Sequence, residues 1–162
     1  VNPFDTYRNN CPENNFPQIR PARGTTCSMS DTDAVLFANE AFYRAFADRD
    51  EAAMDALWSD TDQVACLHPG WGPLIGREEV VESWKAIIRN PDSPEIFCHD
   101  PHAHVYGDTA YVICFEEIGG SFLVATNVFV RAGRLWKLVH HQAGPTSARP
   151  EVEEARSPQT VN

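Results

Sequence analysis

A histidine at a loop, an amide inside an apolar strand and a carboxylate at a strand end are the residues of this chain with the plainest capacity for chemistry. His68 follows the short apolar run Val64 to Leu67 and precedes Pro69-Gly70-Trp71-Gly72-Pro73, which two prolines and two glycines keep out of regular structure. An imidazole placed there exchanges a proton near neutral pH and can serve as acid or base. Its structural alternative is a loop cap bonded to backbone. Trp71 in the same loop is either an apolar lid over a ligand or the aromatic that anchors the loop. Asn127 shares a strand face with Leu123, Ala125 and Phe129. A buried amide needs partners, either across the sheet or on a ligand.

His140 and His141 are adjacent on the last strand, so strict alternation sends them to opposite faces. Trp136, Leu138, His140 and Gln142 then share one side, and Lys137, Val139 and His141 the other. Lys137 marks its side as nearer solvent or an interface, which makes His140 the expected pocket residue. Either histidine can instead be a satisfied structural group. Glu116 and Glu117 end a strand, and whichever points inward would carry a raised pKa; the alternative is a strand end in water. Trp58 and Trp84 fall at helical core spacing and can double as pocket wall. His102 and His104 have workable ligand spacing, but Ala103 and Val105 look core-facing and turn both histidines outward, so no metal is expected.

These groups need elements to position them. Asp31 to Asp33 supply helix caps, and Val35, Ala38, Phe42, Ala45 and Phe46 then recur at helical spacing. A second short helix places Met54, Leu57 and Trp58 on one side. Gly76 opens a third, with Glu78 and Glu79 in its first turn and Val80, Trp84, Ile87 and Ile88 on its apolar face. Strands are expected over 95–106, with a bulge or an edge at Pro101, then over 111–117, 122–131 and 135–142. Helices followed by strands give an α+β domain over residues 31–146, between an irregular arm (1–30) and a polar tail (147–162). Met29 is a candidate internal translation start.

Composition narrows the partners. The formal net charge of −10 comes without a basic stripe, so nucleic acid is not expected as a partner. No apolar run suits a membrane span, and no secretory signal is seen. Cys66, Cys98 and Cys114 read as small core hydrophobes in a reducing cytoplasm, and a Cys11–Cys27 disulfide is not expected.

Six motifs in order resemble the nuclear transport factor 2-like superfamily, especially its SnoaL-like branch. They are Ala38-Asn-Glu-Ala-Phe-Tyr-Arg-Ala-Phe46, Asp50-Glu-Ala-Ala-Met-Asp-Ala-Leu-Trp58, His68-Pro69, Gly76-Arg-Glu-Glu-Val80, Gly107-Asp-Thr-Ala110 and Trp136-Lys-Leu-Val-His-His141. The resemblance implies three N-terminal helices packed on a curved antiparallel sheet, forming a cone with a pocket, usually in a homodimer through the sheet. Against ketosteroid isomerase, His68 takes the slot of a catalytic Asp, Asn127 lies near an oxyanion-stabilising acid, and Phe42 takes the slot of a catalytic Tyr, with Tyr43 beside it on another face. Two readings follow. One is a cofactor-independent lyase, isomerase or cyclase acting on a small apolar carbonyl compound. In it His68 moves a proton, Asn127 and His140 polarise the carbonyl, and Trp71, Trp58, Trp84, Phe42 and Glu116 line the pocket. The other is a non-catalytic ligand-binding or dimerisation module.

Overall fold

The computed structural model describes residues 29–150. Most of the expected arm and tail, including Cys11 and Cys27, therefore lies outside the described residues. Helix α1 (Asp31–Ala47) is capped by Ser30, whose hydroxyl accepts from the Asp33 amide at 3.1 Å, with Asp31 and Asp33 in the first turn. Asp50 caps α2 (Glu51–Leu57) in the same way, accepting from Ala53 at 2.9 Å. Helix α3 (Arg77–Arg89) opens on Gly76 at φ 94°, a conformation that favours glycine. Asp55 ties the last two helices together by receiving Arg77 at 2.6 Å and Lys85 at 2.5 Å.

The strands are β1 (Ala65–Leu67), β2 (Leu74–Ile75), β3 (Phe97–Tyr106), β4 (Thr109–Ile118), β5 (Ser121–Ala132) and β6 (Leu135–Pro145), in the order β2-β1-β6-β5-β4-β3. Two expectations are corrected here. The sheet is mixed rather than antiparallel: β1 comes from the helical layer, not through a hairpin, and runs parallel to β6 with Ala65 opposite His140. Nor is the sheet a cone. It stays open, with β2 and β3 as unpaired edges, because a two-residue β2 offers too short a ladder to close a ring and α1 packs along β3 instead. The space between helices and sheet is filled by Phe42, Met54, Trp58, Phe129 and Leu138.

Two irregularities set which side chains face inward. In β3 the register shifts between His99 and His102, with Asp100 at φ 50° just before Pro101, so the expected bulge and the expected edge are both present. In β6, Val128 faces His140 while Phe129 faces Leu138, which leaves Val139 as an extra residue. Trp136 and Leu138 point inward before this bulge, and His141 and Ala143 after it. His141, not His140, therefore reaches the helical layer. The alternation expected over 136–142 fails because one inserted residue reverses its phase.

Candidate functional site

Four elements bring five polar side chains together under α1. Asn39 and Tyr43, four residues apart, share one face of that helix. Glu116 comes from β4, Asn127 from β5 and His141 from β6, where Asn127 and His141 are direct cross-strand partners. All are buried, with Asn127 0% and Glu116 and His141 each 2% exposed. Asn127 Nδ2 donates to Asn39 Oδ1 at 2.7 Å and to the Tyr43 hydroxyl at 3.2 Å. That orients the amide, so Asn127 Oδ1 is the acceptor for His141 Nδ1 at 2.6 Å. Tyr43 passes its own hydrogen to Glu116 Oε1 at 2.8 Å.

The tautomer follows. With Nδ1 carrying the hydrogen, neutral His141 turns an unprotonated Nε2 toward Glu116 Oε1, 3.9 Å away and beyond hydrogen-bond reach. Burial pushes the Glu116 carboxyl up to about 7, with the Tyr43 hydrogen bond acting against it. Burial pushes His141 down to about 3, helped by His68 and His140. The two are thus neutral together between these values, and above pH 7 only Glu116 is charged, so they form no ion pair. Tyr43 is held well above its usual range, chiefly by burial and then by Glu116, and remains a phenol. The arrangement is a neutral hydrogen-bonded relay ending on a carboxyl poised near physiological pH.

His68 lies in a separate arrangement. Its Nε2 is 2.9 Å from Ser83 Oγ, and the Ser83 hydroxyl donates to the Val80 carbonyl at 2.7 Å, so Nε2 carries the hydrogen and donates to Ser83. Burial pushes His68 down to about 4, and the ring stands edge-on to Trp84 at 4.6 Å and to Trp71 at 4.8 Å. No hydrogen bond joins it to Asn127 or Glu116 among the described residues. Trp84 also touches Phe42 at 5.0 Å and His141 at 5.2 Å, so Phe42 and Trp84 wall the relay. Trp58 is core, bridged to Leu138. Trp71 is 55% exposed and faces a groove between β2 and α3. His140 is half-buried on the opposite sheet face from Asn127, beside Val128. His102 and His104 do turn outward.

Of the expected site residues, then, Asn127 and Glu116 are joined through Tyr43, with Phe42 and Trp84 around the relay, while His68, His140, Trp58 and Trp71 lie elsewhere. Asn39 was not singled out, Tyr43 was set on a different face from Phe42, and His141 was put on the side nearer solvent or an interface. The available signal was a pair of polar residues at i and i+4 on an otherwise apolar helix face.

The relay has a way out. A groove of about 780 Å³ runs between α1 and β3, walled by Leu36, Phe37, Ile96 and Phe97. Asn39, Tyr43 and Cys98 also line it. Tyr43 therefore connects the groove to Glu116.

Comparison with known proteins fits this architecture. The SnoaL-like domain family matches residues 35–146. The F-box protein SKIP8 of Arabidopsis thaliana is 30% identical over 128 residues, covering 77% of this chain and 55% of that protein. The chain thus spans about half the length of that curated relative. Among solved structures, a nuclear transport factor 2-like protein from Streptomyces avermitilis, provisionally classed as a dehydratase, is 38% identical with a TM-score of 0.65, over 73% of this chain and 97% of its own. A protein from Thiobacillus denitrificans, provisionally classed as a calcium/calmodulin-dependent kinase II association domain, is 33% identical with a TM-score of 0.59, over 67% and 92%. No helix among the described residues is long and apolar enough to cross a membrane. Three helices laid over one face of a sheet that ends in four consecutive hairpin-linked strands, with a family match from Val35 to Thr146, place the chain in the SnoaL-like domain family of the nuclear transport factor 2-like superfamily.

Proposed function

We propose that this SnoaL-like domain binds a small, mostly apolar carbonyl compound in the groove between α1 and β3 and moves a proton on it without a cofactor, as a lyase, isomerase or cyclase does. The observation that carries this reading is the contact of Tyr43, a groove-lining residue, with a buried carboxyl pushed up to about 7. A substrate C–H proton passes to the Tyr43 oxygen as the phenolic hydrogen passes to ionised Glu116. The Asn39 amide faces the oxyanion that develops, and Asn127 and His141 hold the relay in register. A dehydration fits the same parts, since a proton lost from carbon and one supplied to a departing hydroxyl can share the Tyr43–Glu116 pair. The provisional dehydratase class of the Streptomyces protein supports this direction.

The test is deuterium uptake at the α-carbons of cyclohexanone in heavy water. The wild type is expected to exceed buffer, with a rate rising through about pH 7 as Glu116 ionises. Binding without exchange would leave a ligand-binding module. Neither binding nor exchange would remove the groove from consideration.

A second reading concerns the uncovered sheet face, where Ile113 is 40% exposed and Val124, Val128 and Val139 are half-buried. We propose that two copies pair through it, which Ile113→Lys would break and light scattering would record.

A further inference from the structure

Three cysteines among the described residues are free thiols, and their surroundings differ. Cys66 is fully buried, and burial pushes its thiol up to about 12. Cys114 is buried behind Tyr43 and is also raised, chiefly by its bond with Cys98. Cys98 is half-buried and lines the α1–β3 groove beside Asn39 and Tyr43. Its thiol is held below the ordinary value, first by the neighbouring Cys114 thiol and next, against burial, by the Asn39 amide.

Asn39 supplies the second observation. It is 1% exposed, and its Oδ1 is taken by Asn127. Its Nδ2 reaches only the Cys98 sulfur, at 3.7 Å, so one of its two amide hydrogens has no partner among the described residues. A buried amide donor with so little to bond to, on the lining of a groove, is a place for a ligand oxygen.

We propose that Cys98 is a covalent capture site for small α,β-unsaturated ketones, whose carbonyl oxygen accepts from Asn39 Nδ2 while the thiol sulfur adds to the β-carbon. This deepens the reading of the groove as a carbonyl site and rests on it. The carbon–sulfur bond forms as the C=C π pair moves onto oxygen, giving an enolate held by Asn39. The thiol proton leaves to the Tyr43–Glu116 pair and returns to the α-carbon. The sum is addition of S–H across C=C, and it needs no oxidant, reductant or co-reactant. The sulfur and the amide share the groove with apolar Leu36, Ile96 and Phe97, which suits a probe with a hydrocarbon ring.

The experiment treats the full chain with 2-cyclohexenone and maps adducts on peptides, with iodoacetamide as a thiol reagent that carries no enone. Cys98 is expected to gain one cyclohexenone at least about tenfold faster than glutathione under the same conditions, since a held carbonyl raises the effective concentration of its β-carbon. Saturated cyclohexanone should slow that labelling by competition. Asn39→Ala should slow the cyclohexenone reaction about tenfold more than it slows iodoacetamide alkylation of Cys98, which registers the change in the thiol itself. If Asn39→Ala does not fold, protection of the wild type by cyclohexanone decides alone. Adducts confined to Cys11 or Cys27, a Cys98 rate no higher than that of glutathione, or an equal loss of both reactions in Asn39→Ala would each overturn the proposal. If cyclohexanone binds and exchanges its α-hydrogens but Cys98 stays unlabelled by cyclohexenone, only the capture site falls. If cyclohexanone neither binds nor protects, the groove reading falls and takes the capture site with it.

Discussion

The two buried histidines of this domain both pack against the Trp84 indole and are wired in opposite ways. His68 donates to Ser83, which donates to the Val80 carbonyl, so its chain of hydrogen bonds ends on backbone. His141 donates to Asn127, whose amide hydrogens go to Asn39 and Tyr43, and Tyr43 continues to Glu116. The first circuit terminates inside α3. The second contains two residues that line a groove and a carboxyl near its titration point. A histidine is a functional candidate because of where its hydrogen bonds lead, and burial or a low pKa, which these two share, does not separate them.

The comparison breaks most visibly at the carboxyl. Glu116→Gln keeps an acceptor for Tyr43 but removes the base, and should lower cyclohexanone exchange by about 10²–10⁴-fold. The same change should stabilise the fold at pH 8. A carboxyl whose pKa is raised on folding is protonated in both states at low pH, and the unfolded state releases its proton first as pH rises through 4.5. Stability is therefore lost between 4.5 and about 7, on the order of 3 kcal/mol. Melting curves of wild type and variant should coincide near pH 4 and separate by pH 8. Coincidence throughout would mean that Glu116 is an ordinary carboxylate.

His141→Ala comes next, because it leaves Asn127 Oδ1 unpaired in the core and opens a cavity. A loss of about 2–4 kcal/mol in urea unfolding is expected, together with loss of exchange activity. His68→Phe should cost less, about 1–3 kcal/mol, and leave exchange within about twofold, since no step runs through that ring. A collapse of exchange in His68→Phe would reinstate it as the proton carrier and sink the distinction between the two circuits. Both histidines also set the acid limit. Each is depressed on folding, so the unfolded state takes up protons first as pH falls below 6.5, and stability declines toward about pH 4 for His68 and about pH 3 for His141. His140→Ala is the smallest effect, within about 0.5 kcal/mol.

Much of the fold was readable from the chain because it rests on local rules. Caps, helical spacing and the Gly107-Asp108, Gly119-Gly120 and Gly133 turns place the three helices and four long strands within a few residues of where they form. What escaped was non-local. The parallel seating of β1 on β6 depends on how the helical layer returns to the sheet, and the open outline depends on how short β2 is. In the site, Asn127 and Glu116 were legible as polar residues on apolar strands. Tyr43 and Asn39 were hidden by a buried helix face wide enough to include both them and Phe42. Cys98 passed as a core thiol because its groove is made by α1, which no strand pattern reveals.

The extra residue at Val139 acts on β6 as a phase shifter. By absorbing Val139, the bulge decides which of the two following histidines turns inward, independently of their own chemistry. Keeping Val139 but flattening the bulge would exchange the inward and outward positions, sending His140 and Gln142 inward and His141 and Ala143 out, whereas deleting Val139 would restore plain alternation and leave His141 and Ala143 inward. In a strand carrying two successive histidines, the flattened strand would still present an imidazole to the helical layer, that of His140, while the shortened one would keep His141 there. Roles carried between relatives by aligned position would be misassigned here whenever a one-residue gap is drawn on the wrong side of the pair.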